Sequence, residues 1–234
     1  MLENKSGSPV GFPVPDWSPC QHPSRTVMSG RYCRLEPLDV ADHAQDLYQA
    51  YQASADDRIW TYLFCGPFDD FDAYQNWLSS SCLGDDPLFF AIIDLKSQKA
   101  LGIASFLRID PNNGGIEVGN INYSPALQQT AAGTEAMYLM MRRAFDELGY
   151  RRYEWKCDDL NEASKRAALR YGFTYEGLFR QAVVYKGRNR DTAWFSIIDS
   201  EWPAIKAAFE GWMAPGNIND SGRQKISLKE FMPT

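Results

Sequence analysis

Residues Gln128-Gln129-Thr130-Ala131-Ala132-Gly133-Thr134-Glu135-Ala136 put a run of small side chains at the start of a helix, and Asn161-Glu162-Ala163-Ser164 opens the next one. The first N–H groups of a helix lack an intrahelical acceptor, and the helix dipole adds positive potential there. Small residues at such a start leave room for an anion, so this stretch reads as a pyrophosphate seat. Directly upstream, residues 116 to 123 alternate as a strand and stop at Ser124-Pro125. Residues 151 to 157 read as a second strand, ahead of Asn161-x-x-Ser164 and a short helix that ends at Tyr171-Gly172-Phe173. Two successive strand-helix units therefore share one ligand.

Those units need a scaffold, and the rest of the pattern supplies it. Residues 32 to 35 read as a first strand, 39 to 53 as a helix entered at Asp39, and 71 to 80 as a second helix. Residues 88 to 94, 100 to 109 and 116 to 123 form an antiparallel meander, and 134 to 148 a helix with apolar residues at helical spacing. After the helix at 161 to 171, strands at 174 to 185 and 190 to 198 are joined by Lys186-Gly187-Arg188-Asn189, a plausible hairpin connection, and Glu201-Trp202-Pro203 begins a last helix to about residue 212. Residues 1 to 28 carry five prolines with Val10, Phe12, Val14 and Trp17 between them, which suits an extended arm packed on the body. The division expected is a proline-rich arm at 1–28, a main domain at 29–212 and a loosely attached extension at 213–234.

At 234 residues with 44% hydrophobic side chains, the chain fits one α/β domain with tails. A formal charge of −6, with no long Lys/Arg cluster, argues against nucleic-acid binding, which needs a basic face. Cysteines at 20, 33, 65, 82 and 157 stand singly, and only His22 and His43 accompany them, so no metal site is expected. Cys157, at a strand end beside the anion seat, reads as a small buried hydrophobe, because no histidine lies near it in sequence to activate it. No signal-peptide pattern and no apolar run of about 18 residues occurs, so a cytoplasmic protein with reduced thiols and no membrane attachment is expected.

Gln128-x-x-Ala131-x-Gly133 resembles the pyrophosphate loop of the GNAT superfamily of acyl-CoA-dependent N-acyltransferases, Arg/Gln-x-x-Gly-x-Gly/Ala, with alanine in place of the first glycine. Thr134-Glu135-Ala136, Asn161-x-x-Ser164, and Gly172-Phe173 followed by Glu176-Gly177 match, in order and spacing, the branch that includes the ribosomal-protein N-terminal acetyltransferases. The resemblance covers roughly residues 30 to 210. Ala131 fits the loop only with negative φ and its Cβ turned away from the phosphates. The fold implied is α/β, with a mixed, mostly antiparallel central sheet whose two parallel strands splay apart between flanking helices. The resemblance places the backbone of Ile121, Asn122 and Tyr123 along pantetheine. It places Gln128, Gln129, Thr130, Ala131, Ala132, Gly133 and Thr134 around the pyrophosphate, and Asn161 and Ser164 on the far wall. Asn161 also reads as an ordinary helix N-cap.

The implied activity is transfer of acetyl from acetyl-CoA to a primary amine of an amino acid, a small metabolite or a protein N-terminus. The alternative is a noncatalytic CoA-binding or partner-binding domain, which the alanine at 131 favours. For transfer, Ser164 is the candidate donor to the leaving sulfur, and a backbone N–H near Ile121 or Asn122 the candidate oxyanion donor. Glu117 is the candidate base, with Glu154 and Asp158 on the neighbouring strand. Strand alternation puts residues 117, 119, 121 and 123 on one face. Glu117 also reads as a solvated strand carboxylate. The acceptor wall is expected from Trp60, Tyr62, Phe64, Phe179 and Tyr185 with Arg58, Arg180 and Arg188, which suit an amine that also bears a carboxylate or carbonyl.

Overall fold

A computed structural model describes residues 2–219 and 224–233. A short ribbon, β1 (Leu2–Glu3) with β2 (Pro9–Val10), precedes the body. The body runs β3 (Met28–Ser29), β4 (Cys33–Pro37), α1 (Val40–Gln52), a 3₁₀ turn at Asp57–Trp60 and α2 (Phe71–Ser81). The meander β5 (Leu88–Asp94), β6 (Lys99–Asp110) and β7 (Gly115–Tyr123) follows, then α3 (Ala131–Arg142), a π-helical turn (Arg143–Glu147), β8 (Arg152–Asp158) and α4 (Glu162–Arg170). The chain closes with β9 (Thr174–Tyr185), β10 (Arg188–Ile198), α5 (Trp202–Trp212) and α6 (Leu228–Phe231).

Eight strands form one sheet in the order β3-β4-β5-β6-β7-β8-β10-β9, and every pairing is antiparallel except β7 with β8. The mixed, mostly antiparallel α/β architecture expected from the sequence is the one observed. β5 explains why both faces are covered. Its unbroken apolar run sends Leu88, Phe90 and Ile92 to one side and Phe89, Ala91 and Ile93 to the other, each into a separate buried cluster. The first cluster packs against α3 and α5, and the second against α1 and α2. α1 and α2 start where Asp39 and Asp70 accept from the backbone N–H of Asp42 and Ala73. β9 and β10 meet at a two-residue turn in which Lys186 (φ +48) and Gly187 (φ +69) both adopt left-handed backbone, as a type I′ hairpin requires.

α3 is buried almost all round, yet it carries Glu135. That carboxylate accepts from three consecutive backbone N–H groups, those of Arg31 (2.7 Å), Tyr32 (2.6 Å) and Cys33 (2.9 Å), where the chain enters β4. Gly30 is required beside it, because any Cβ there would collide with the carboxylate. The matched donors offset the cost of burying the charge and pin the edge of the sheet to the helix.

The arm is held at its later residues. Trp17 Nε1 donates to the Asn112 carbonyl (2.9 Å) and its ring fills the space that only glycine leaves at Gly114, Tyr150 donates to the Gln21 carbonyl (3.1 Å), and Arg143 donates to Thr26 Oγ1 (2.8 Å). Val10, Phe12 and Val14, expected to pack, are instead exposed, so Trp17 alone of the four apolar side chains anchors the strap. The described part of the C-terminal extension is also fastened. Asn217 donates to the carbonyls of Trp212 (2.8 Å) and Ile226 (3.1 Å) and accepts from Ile226 N–H (2.8 Å), and Leu228 is buried. Asn217 and the one-turn helix α6 hold it, features too short to leave a periodic pattern, which is why composition reads as loose chain. All five cysteines are free.

Replacing Glu135 by Gln removes the charge and half of its acceptor capacity from three backbone N–H groups. We expect a loss of about 2 kcal/mol in unfolding free energy, as for charge-assisted bonds of this kind. Urea denaturation checks this, and a loss below about 0.5 kcal/mol contradicts the clamp.

Candidate active site

β7 and β8 run side by side only as far as Val118 and Trp155. Beyond them β7 bulges. Its pairing with β6 passes from Ser105–Gly119 to Ile103–Asn122, two residues of β7 spanning one of β6. Asn120 takes left-handed backbone at φ +50, and its side chain donates to Ser105 Oγ (2.9 Å). An extra residue reverses side-chain alternation from that point on. Ile116 and Val118 face α3, and past the bulge so do Ile121 and Tyr123. The expectation that 117, 119, 121 and 123 share a face is therefore corrected: Glu117 points to the opposite layer, and the two ends of β7 serve different sides of the sheet.

A cleft of about 1410 Å³ passes through the gap. Glu117, Ile121, Asn122, Tyr123, Gln128, Gln129, Thr130, Ala131, Gly133, Thr134, Asn161 and Ser164 all line it. Ala132 does not, because α3 begins at Ala131 and turns the Ala132 side chain into the core. In the loop before α3, Gln129 adopts φ +59, and the N–H groups of Gln129, Thr130 and Ala131 have no acceptor among the described residues. Successive unpaired donors around a left-handed residue make an anion-binding nest. Ala131 has no positive φ, so the methyl in place of the first glycine is compatible with the loop.

Gly133 has a different reason for being glycine than clearance for phosphate. A Cβ there would lie 2.7 Å from the Leu127 carbonyl and 3.1 Å from the Tyr123 ring, and its N–H is already capped by Thr130 Oγ1 (3.0 Å). Tyr123 donates to the Gly133 carbonyl (3.0 Å), and Gln128 Nε2 donates to the Tyr123 carbonyl (2.8 Å), which lashes the loop to the end of β7. Thr134 Oγ1 accepts from Arg170 (3.2 Å). The Asn122 carbonyl accepts from Tyr51 Oη (3.0 Å), so one of its two lone pairs is engaged.

Asn161 Oδ1 accepts from the Ser164 N–H (3.1 Å), so it is the helix cap, while the residue also lines the cleft. Ser164 Oγ accepts from Trp155 Nε1 (2.9 Å), which leaves the serine hydrogen to turn toward the Cys157 sulfur or into the cleft. Burial holds the neighbouring Cys157 thiol above its ordinary range despite the Ser164 hydrogen bond and the charges of Arg190 and Lys165, so it lacks the thiolate character of a nucleophile. Ala163, Arg166, Ala167 and Arg170 line the same wall. Arg166 and Arg170 were missed from the sequence, although their spacing of four residues, in step with the alanines, marks one helix face.

On the opposite layer Glu117 is 3% exposed, far from the solvated strand carboxylate that was the other expectation. Its Oε1 lies 2.8 Å from Arg108 Nη1 and its Oε2 2.7 Å from Lys156 Nζ. Lys156 also lies 2.7 Å from Glu154 Oε2 and sits over the Trp194 ring, 3.8 Å from its centroid. Burial raises the Glu117 carboxyl above the usual carboxylate range, against the pull of both cations. For Glu154 the bonds to Lys156 and Arg152 together outweigh burial and lower it. Asp158 accepts from Tyr185 Oη (2.7 Å) and the Leu160 N–H (2.9 Å).

Of the expected acceptor wall, Arg58, Tyr62 and Phe64 line the cleft. Arg58 is 82% exposed and pairs with Asp56. Trp60 is buried in the α1–α2 layer, Phe179 stacks on Trp194 at 4.4 Å, and Arg188 donates to the Thr61 carbonyl (3.1 Å); none of these, nor Arg180 or Tyr185, lines the cleft. Arg190, unnoticed as the first residue of an expected strand, does line it. No described residue of the arm does. Among the described residues no group of three His, Cys, Asp or Glu side chains is placed to hold a metal, and no helix is long and apolar enough to cross a membrane.

Residues 33–174 match the family model of the acetyltransferase (GNAT) domain. The chain is 48% identical to a GCN5-related N-acetyltransferase from Brucella melitensis of known crystal structure, with a TM-score of 0.90 over 92% of this chain and 98% of that one. It is 26% identical over 153 residues to an uncharacterized N-acetyltransferase, p20, from Bacillus licheniformis, covering 63% of this chain and 84% of the relative. The fold is shared, at 19% identity and a TM-score of 0.60, with the ribosomal L7/L12 alpha-N-protein acetyltransferase RimL, over 74% of this chain and 94% of that one. The chain belongs to the GNAT acetyltransferase family and is an acyl-CoA-dependent acetyltransferase.

Proposed function

We propose that residues 29–212 transfer acetyl from acetyl-CoA to a primary amine, that of an amino acid, a small metabolite or a protein N-terminus, by direct attack of the amine on the thioester. The arm at 1–28 and the extension at 213–234 flank that domain, and five free thiols suit a reducing cytoplasm. The observation that carries the reading is the gap between β7 and β8, which joins an anion nest and basic helix face on one layer to a buried carboxylate on the other. The nest at 129–131, with Arg166 and Arg170, suits the phosphates. The strand edge at Ile121, Asn122 and Tyr123, freed from β8, suits an amide-bearing chain such as pantetheine.

Attack forms the N–C bond and breaks the C–S bond, so one proton must leave the amine and one must reach the sulfur. Glu117 takes the first. Its burial makes it a stronger base than an exposed glutamate, and because both of its oxygens hold cations it acts through a water rather than by direct contact. Ser164 gives a hydrogen bond or proton to the sulfur, its oxygen steadied by Trp155. A backbone N–H at Ile121 or Asn122 serves the oxyanion. Release of free thiol from acetyl-CoA in the presence of an amine panel tests the whole reading, and binding without release on every amine overturns it.

Four variants have expected outcomes. Ser164→Ala lowers kcat by about 10- to 100-fold and changes the acetyl-CoA Kd by less than about threefold, because the donated bond matters in the transition state. Trp155→Phe, which removes the steadying bond and some ring volume but keeps the hydroxyl, loses less, and an unchanged Ser164→Ala rate with chemistry limiting would leave the serine a structural residue. For Glu117→Gln, the ratio of wild-type to variant rate is largest near neutrality and shrinks at high pH, where the amine is already neutral. Below its raised pKa Glu117 is protonated and accepts nothing, so the wild-type acid limb lies above that of an ordinary carboxylate and is missing from the variant; a ratio constant across pH contradicts the base assignment. Arg166→Glu weakens CoA binding tenfold or more by calorimetry, about 1.4 kcal/mol, and equal affinity removes Arg166 from the phosphate site.

A further inference from the structure

We propose that Arg190 binds the acceptor, and that the acceptor carries a carboxylate in addition to its amine. The proposal rests on the acetyl-transfer reading above and names its substrate class.

Arg190 is only 8% exposed, yet no carboxylate lies within ion-pairing distance of it among the described residues. The other arginine beside the transfer point, Arg108, is matched to Glu117. Arg190 has one hydrogen bond, from Nε to Thr192 Oγ1 (3.1 Å), and its guanidinium lies 5.4 Å from the Phe64 ring centroid and 5.9 Å from that of Tyr185. Its terminal nitrogens are not among the buried polar atoms sealed off without a partner, so they open to the cleft that the residue lines. A buried guanidinium left without an anion is costly, and the fixed fork of its two terminal nitrogens matches a carboxylate.

Position and charge narrow the ligand. Thr192 pairs across the sheet with Asp158, and Asp158, Asn161 and Ser164 line the same cleft as Arg190. The guanidinium therefore sits a few strand residues from the point of transfer, on the layer of Glu117 and beside the ring of Phe64. Asp158 is hydrogen-bonded to Tyr185, the ring that Arg190 faces, and Glu117 lines the same cleft. An acidic side chain this close, Asp158 behind the Tyr185 ring, favours a monoanion over a phosphate dianion. The site thus suits a carboxylate attached to an apolar or aromatic body, with the amine turned toward the gap.

The test compares the common amino acids with their carboxamides as acceptors in thiol release, and the N-acetylated forms of both series as ligands of the CoA-loaded protein in calorimetry. Wild type is expected to prefer acids at least tenfold in kcat/KM and in Kd. Arg190→Gln brings that preference within about threefold of unity without altering the acetyl-CoA Kd, and Arg190→Lys, which keeps charge and packing, retains part of it. Equal use of acids and amides by wild type, or a preference undiminished in both variants, overturns the proposal. Because the calorimetric comparison needs no turnover, absence of thiol release with intact discrimination in binding would refute acetyl transfer and still support Arg190.

Discussion

One extra residue in β7 governs the rest of the site. With continuous pairing, β7 and β8 would satisfy each other's backbone groups along their full length and the sheet would be closed. The bulge at Asn120 ends that pairing after Val118 and Trp155, so the edge of residues 119–123 meets the cleft instead of a neighbouring strand. A non-glycine residue at positive φ is held there because its own side chain bonds Ser105, across the strand pair that the bulge distorts. The same residue inverts the alternation, and this is what divides the chemistry between two layers. Upstream of it Glu117 reaches one face, and downstream Ile121 and Tyr123 reach the other, where the loop before α3 is lashed to Tyr123.

Charge is arranged around that gap by the same logic. On the α3 layer the donors are backbone N–H groups and arginines, with a serine whose oxygen is already occupied by Trp155. On the other layer a buried carboxylate is kept beside two cations, one of them shared with Glu154 and cushioned on Trp194. Burial and ion pairing oppose each other at Glu117, and burial prevails. The carboxyl is thereby moved toward the pH range in which an amine must be deprotonated, without being left as an unpaired charge.

The order of elements was legible in the sequence because periodicity and turn residues report on local structure. β5 through β7 and the two strand-helix units stand where the pattern put them, while the hairpin connection expected over residues 186–189 is tighter, a two-residue turn with Arg188 and Asn189 already paired in β10. The small-residue start of α3 was legible too, but the reasons for its residues were not. Gly133 is small because of a carbonyl and a ring brought against it from elsewhere, and Ala132 belongs to the core, since the helix starts three residues earlier than its apolar periodicity suggests. The face of Glu117 was misassigned because alternation assumes an unbroken strand, and a bulge held by a side chain from β6 leaves no mark in local sequence. Arg190 escaped notice for a related reason. Strand residues are read by their apolar neighbours, whereas its role depends on Phe64 and Tyr185, brought to it by the 3₁₀ region and the hairpin.

The central claim is that the reaction takes place through the sheet, between the separated ends of β7 and β8. A crystal structure with acetyl-CoA bound tests it most directly. The account requires the pyrophosphate on the N–H groups of residues 129 to 131, pantetheine along residues 121 to 123, and the thioester in the gap between Ser164 and the layer that holds Glu117. An acetyl group lying wholly on one side of the sheet, or a pyrophosphate away from that loop, would contradict it.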